Sequence, residues 1–202
     1  MEGYIRKIKA LPRSVTKLSV WDIDDTLFRS SSLRILIIKG NQVVRQLSTS
    51  EWNSYRLKGG EVPDFSQFKD GSVFFHSAKP LSKNLRLAKE AIESSDTMMI
   101  TLSARSKTNN KNLFLQKFKM YGINMNKNTS HSVFAGELGM QTSKAKAFIL
   151  DQCLATKKFN QVFMYDDHSD NLIEFIKLQP KYKEIHFNAF LVDSGGKIVK
   201  FR

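Results

Sequence analysis

The chain has 202 residues, 41% of them hydrophobic, with 15 phenylalanines and a formal net charge of +13. That length suits one domain of substantial core with a modest insertion rather than two full domains, and the apolar content excludes a disordered chain. Cys153 is the only cysteine, which excludes an intramolecular disulfide and a cysteine-based zinc site and leaves it as small core filling on a helix.

The first residues are basic but lead into no apolar leader segment, and no stretch approaches the length of a membrane span. A cytoplasmic protein without membrane contact is the expectation. The charge points to polyanionic surroundings or substrates. Its distribution is more telling than its sum. Between Asp96 and Glu137 there is no acid, while Arg105, Lys107, Lys111, Lys117, Lys119 and Lys127 all fall there. No lysine- or arginine-rich tail of low complexity is present, which argues against a disordered nucleic-acid arm.

In chain order, residues 18–23 read as a first, buried strand. Residues 33–38 and 42–47 flank Lys39-Gly40-Asn41 as a β-hairpin. Residues 51–58 read as a short helix stopped by Gly59-Gly60, and residues 61–79 as irregular but too apolar for a linker. Residues 80–94 have helical spacing and residues 97–102 form a second buried strand. A helix over 109–121 follows, then a short strand at 131–135. Thr142 or Ser143 caps a helix running to about residue 155. Residues 162–165 are a strand ending in Asp166-Asp167, and residues 170–178 a helix that Asp170 caps. Residues 185–192 and 197–201 close the chain as a β-hairpin. Strands alternating with helices predict an α/β fold, a Rossmann-like parallel sheet with helices on both faces. The site of such a sheet lies beyond the carboxyl ends of its strands.

Three of those ends carry polar chemistry: Asp22-Ile23-Asp24-Asp25-Thr26, Ser103-Ala104-Arg105 and Asp166-Asp167. Carboxylates following a buried strand are costly unless a cation or hydrogen bonds compensate them. Asp22 and Asp24 leave the same face of an extended backbone, so two acids converging there suggest a divalent metal and a carboxylate nucleophile. No GxGxxG precedes a helix and no GxxxxGK[ST] occurs, so dinucleotide and P-loop readings lack their motifs. His76, His131 and His186 are scattered and read as structural, and Trp21 and Trp52 as packing residues.

These motifs, in this order, resemble the haloacid dehalogenase-like phosphohydrolase superfamily from residue 20 to about 175, nearest its small-cap nucleotidase and polynucleotide-phosphatase-like branch. The resemblance implies Asp22 as the nucleophile that forms an aspartyl-phosphate and Asp24 as the general acid/base. It implies Mg²⁺ held at Asp22, Asp24 and Asp167, with Asp166 an outer ligand or a lysine partner. Ser103 would hydrogen-bond the transferring phosphoryl group, with Thr101 as its alternative. Thr142-Ser143-Lys144-Ala145-Lys146 resembles the third motif and selects Lys146, with Lys144 a rival. Arg105, Thr26 and Lys144 would bind substrate, although Arg105 could equally pair with a carboxylate. His168 stands where arginine is common in the family. Residues 30–80 would form a flap hairpin and a small cap within a single domain of residues 1–202. The implied activity is a Mg²⁺-dependent phosphomonoesterase acting on a nucleotide or nucleic-acid end. A small-metabolite or sugar phosphatase and a non-catalytic nucleic-acid-binding protein are the alternatives; oligomeric state is not readable.

Overall fold

Tyr4 and Ile8 lie one helical turn apart in a basic segment, and together they bury the first element, α1 (Glu2–Lys9), which the sequence reading does not anticipate. Residues 2–201 are described in a computed structural model, apart from the side chains of Glu2 and Asn53. The next element, β1 (Lys17–Trp21), is almost wholly buried, as an apolar strand flanked on both sides should be. A tight turn then leads to β2 (Phe28–Arg29).

The hairpin comes next as β3 (Ile35–Lys39) and β4 (Gln42–Leu47), turning at Gly40 with φ of 60°. The helix expected at 51–58 is α2 (Thr49–Ser54). Ser48 and Glu51 form a reciprocal capping box that starts it earlier, and extended backbone at Tyr55 ends it earlier. Residues 61–79 are not irregular. They form β5 (Glu61–Asp64), α3 (Ser66–Lys69), α4 (Gly71–Ser77) and part of β6 (Lys79–Pro80). β5 joins β3 as the edge of a three-stranded antiparallel sheet, a position that tolerates Pro63. Asp70 caps α4 by accepting from the Ser72 and Val73 N–H groups.

The remainder alternates as expected: α5 (Ser82–Glu93), β7 (Thr97–Ser103), α6 (Lys111–Lys119), β8 (Ser130–Phe134), α7 (Thr142–Leu154), β9 (Gln161–Asp166), α8 (Ser169–Ile176), β10 (His186–Val192) and β11 (Ile198–Lys200). Two expected caps differ. Gln141 occupies the cap position of α7 without a side-chain hydrogen bond, so neither Thr142 nor Ser143 caps it. The cap of α8 is His168, whose Nδ1 accepts from the Asp170 N–H; Asp170 is already inside the first turn.

The central sheet has six strands in the order β11-β10-β9-β1-β7-β8. All its pairings are parallel except the terminal hairpin β10–β11. One face packs against α1, α7 and α8 through Ile8, Ile149, Leu150 and Phe175. The other packs against α4, α5 and α6 through Phe74, Leu85, Phe114 and Phe118. A third, smaller core joins Leu33, Ile35, Ile37, Leu47 and Phe68 in the connection between β2 and α5. The chain passes from β1 outward to β7 and β8, then returns to the other flank of β1 with β9. The carboxyl end of β1 is thus the switch point where an open α/β sheet presents a crevice. No helix among the described residues is long and apolar enough to cross a membrane.

Candidate active site

Beyond the carboxyl end of β1 lies a cavity of about 680 Å³. Asp22 is anchored at its floor, because its N–H donates to the Tyr165 carbonyl of β9 at 2.9 Å. The chain then turns so tightly that Leu27 and Phe28 both return N–H bonds to the Ile23 carbonyl, and Asp25 adopts φ of 58°. Such a left-handed conformation is strained for a residue with a side chain, and here the carboxylate is tied down by the Thr49 hydroxyl at 2.7 Å and the Ser30 N–H at 3.2 Å. The turn keeps Asp22, Asp24 and Asp25 all on the cavity wall.

Lys146 reaches this floor from the buried face of α7. Its ammonium donates to Asp22 at 2.6 Å and to Asp166 at 2.7 Å, and the residue is 1% exposed. Burial opposes its charge, but Asp166 and Asp22 more than offset that and hold the ammonium well above its ordinary range. Lys144, two residues earlier, points to solvent and does not line the cavity. Burial thus separates two lysines that the sequence left as rivals.

Asp166 is fully occupied: it also accepts from Asn171 Nδ2 at 2.7 Å and from the His168 N–H at 3.0 Å. Asp167 lines the cavity, and among the described residues no hydrogen bond satisfies its carboxylate. Burial, then Asp22 and Asp166, push it up to about 9. Burial likewise raises Asp22 to about 7, with Lys146 pulling the other way. Two carboxylates, Asp22 and Asp166, therefore share one ammonium, and the third, Asp167, has no ion-pair partner among the described residues. The site is short of positive charge.

Asp24 stands apart from that group. Both its oxygens are engaged by Arg105, Nε at 2.7 Å and Nη2 at 2.6 Å, and the Ser30 hydroxyl donates to it as well. Arg105 is 4% exposed, donates to the Phe68 carbonyl at 3.0 Å, and lies 5.2 Å from the Phe68 ring and 4.7 Å from the Phe74 ring. Of the two roles open to Arg105, pairing with a carboxylate is the one observed. The Gly136 N–H donates to its carbonyl at 3.2 Å, and a Cβ at Gly136 would come within 2.4 Å of the Ala104 oxygen. Only glycine permits so close an approach.

Ser103 ends β7 almost fully buried, and its Oγ accepts the Arg105 N–H at 3.2 Å, so the hydroxyl braces the loop rather than facing the cavity. The hydroxyls of Thr26 and Thr101 are buried with no hydrogen-bond partner among the described residues, and neither residue lines the cavity. The predicted residues brought together are thus Asp22, Asp24, Arg105, Lys146, Asp166 and Asp167. Thr26 and Lys144 are not brought to the cavity. Sequence reasoning missed Ser30, Asn171 and the outer wall of Trp52, Tyr55, Phe65 and Phe68. The aromatic clustering at 65–75 was the one available signal for that wall. Trp52 does pack, edge-to-face on Phe65 at 5.2 Å, but it also lines the cavity.

As to a metal, no group of three or more His, Cys, Asp or Glu side chains among the described residues is arranged to hold one; Arg105 engages both oxygens of Asp24, and Lys146 engages Asp166 and one oxygen of Asp22. Asp22 and the unsatisfied Asp167 remain as hard oxygen donors. Mg²⁺ commonly takes one or two carboxylates and completes its shell with water and substrate phosphate, so this donor set fits it. No family model, no curated protein and no solved structure matches this chain.

Proposed function

We propose that the chain is a Mg²⁺-dependent phosphomonoesterase of the haloacid dehalogenase type, acting on the terminal phosphate of a nucleotide or nucleic acid. The observation that carries this reading is the charge imbalance at Asp22, Asp166 and Asp167 around a single buried lysine. A structural ion pair would be balanced; an excess of buried carboxylate suits a site completed by a cation and a reacting anion. Asp22 and Asp167 would hold Mg²⁺, with the Asp24 main-chain carbonyl, and the ion would screen carboxylate and phosphate charge from one another.

In the reaction, an Asp22 oxygen bonds to phosphorus as the bond to the leaving oxygen breaks, giving an aspartyl-phosphate. Asp24, which must first take up a proton from solvent, gives it to the leaving oxygen, then takes one from the water that attacks the phosphorus and frees Asp22. Arg105 and Ser30 occupy both Asp24 oxygens, so one of those contacts opens for each proton transfer. Lys146 orients Asp22 and offsets its charge. The hairpin β3–β4 serves as flap, and β5 with α2 to α4 as a small cap. The aromatic wall favours a leaving group with a flat ring over a bare sugar.

The test is phosphate release with Mg²⁺ from 3′- and 5′-mononucleotides, phosphorylated oligonucleotides and sugar phosphates, with wild type beside Asp22→Asn. Turnover on nucleotide substrates, abolished in the variant, is expected. Turnover unchanged by Asp22→Asn would sink the mechanism, and sugar phosphates as best substrates would replace the substrate class.

A further inference from the structure

Away from the cavity, the acid-free stretch holds one buried cation, Lys117, which donates to the Phe75 carbonyl at 2.7 Å, and four exposed ones. Elsewhere on the surface five cations are neutralised locally, in Lys17–Asp96, Arg86–Glu90, Lys89–Glu93, Lys177–Glu174 and Lys181–Asp151, while others, such as Lys83, Lys183 and Lys200, are exposed and make no ion pair among the described residues. Lys107, Lys111, Lys119 and Lys127 are exposed, and among the described residues none makes an ion pair. Lys107 follows Ser106, which lines the catalytic cavity, so the series begins at its rim. From there α6 carries it about 12 Å from Lys111 to Lys119. The positive field is felt locally: burial first, then Lys7 and Lys111, push the His131 imidazole of β8 down to about 4.

Along α6 and the segment after it runs a second, open groove of about 460 Å³. It is lined by Leu115, Met120 and Met125, with Met120 60% exposed, and by the amides of Asn112, Gln116, Asn124 and Asn126. Apolar side chains take the face of a ring, amides can pair with its polar edge, and Lys119 in the lining matches a phosphate. An acidic protein segment would use the lysines but leave those apolar side chains and amides unmatched.

We propose that this face, from Lys107 along α6 to the groove at Met120, binds the body of a single-stranded nucleic acid. The inference rests on the preceding reading for its end point, a terminal phosphate at Asp22, and makes the substrate an oligomer rather than a mononucleotide.

The test uses a labelled single-stranded oligonucleotide of roughly twelve nucleotides with hydroxyl ends, so that recognition of a terminal phosphate plays no part. Anisotropy titrations without Mg²⁺ would compare wild type with the triple variant Lys111→Gln, Lys119→Gln, Lys127→Gln. A control, Lys83→Gln, Lys183→Gln, Lys200→Gln, removes equal charge elsewhere. The first variant should bind at least roughly tenfold more weakly at low salt, with a salt slope shallower by about two to three; the control should stay near wild type. Equal weakening by both variants, no wild-type binding, or tighter binding of the duplex would overturn the inference. Phosphate release from a mononucleotide should be unaffected by the first variant. Lost oligonucleotide binding with no hydrolysis of any substrate would keep the binding face and discard the reaction. Hydrolysis with binding indifferent to the variant would do the reverse.

Discussion

Replacing Lys146 by methionine removes the one ammonium that Asp22 and Asp166 share, at 2.6 and 2.7 Å, while nearly keeping its volume. Deleting one partner of a buried pair costs about 3–5 kcal/mol, because the carboxylates left behind are buried without compensation. Total stability of a domain is about 5–15 kcal/mol, so the variant should still fold but with a large part of its margin gone. The cost depends on pH in a defined direction. Asp22 already has a folded pKa of about 7, above its ordinary value of 3.8, so it lowers stability as pH rises through that window. Without Lys146, which pulls it down, the Asp22 carboxyl rises further and is neutral in mildly acid solution. Urea unfolding of Lys146→Met and wild type should therefore differ more at about pH 7.5 than at about pH 5.5, with unchanged m-values. Lys144→Met should change stability by less than about 0.5 kcal/mol at either pH, since Lys144 is exposed. A Lys146→Met cost below about 1 kcal/mol, or one that grows toward acid, would refute the charge-imbalance argument.

Arg105→Lys keeps the charge but loses the fork that grips both Asp24 oxygens, so turnover should fall by a factor corresponding to about 1–3 kcal/mol, read as kcat/KM on the best substrate. Wild-type activity in that variant would remove Arg105 from the positioning of Asp24. His131 has a folded pKa of about 4, below its unfolded value near 6.5, so its contribution is complete above about pH 6.5 and is lost as pH falls toward 4. For a half-buried imidazole that loss is about 1–2 kcal/mol, and His131→Gln should flatten this part of the stability–pH curve in urea titrations at fixed salt.

The parallel sheet was legible because β1, β7 and β9 are short apolar runs, and the acids that follow β1 and β9 break those runs abruptly. The site's acidic floor was legible for the same reason. Lys146 and Lys144 could not be separated, since they are two residues apart on one helix and only packing against the sheet decides which is inside. Residues 61–79 hid their structure because a four-residue strand holding Pro63 and helices of four and seven residues are shorter than any window in which a period can be read. The Arg105–Asp24 pair joins positions 81 apart, and nothing local to either residue signals it. The expected caps at Thr142 and Asp170 failed for a related reason: residue preference fixes a cap to within a turn, and tertiary contacts choose the residue.

The claim that matters most is covalent catalysis at Asp22. Wild type would be mixed with an equal amount of a nucleotide bearing a radiolabelled terminal phosphate, in Mg²⁺, and quenched in acid within milliseconds to seconds. Label that precipitates with the protein at early times, maps to the peptide bearing Asp22 and is absent from Asp22→Asn is the predicted result. Released phosphate with no protein-bound label at any time, and the same release from Asp22→Asn, would contradict it.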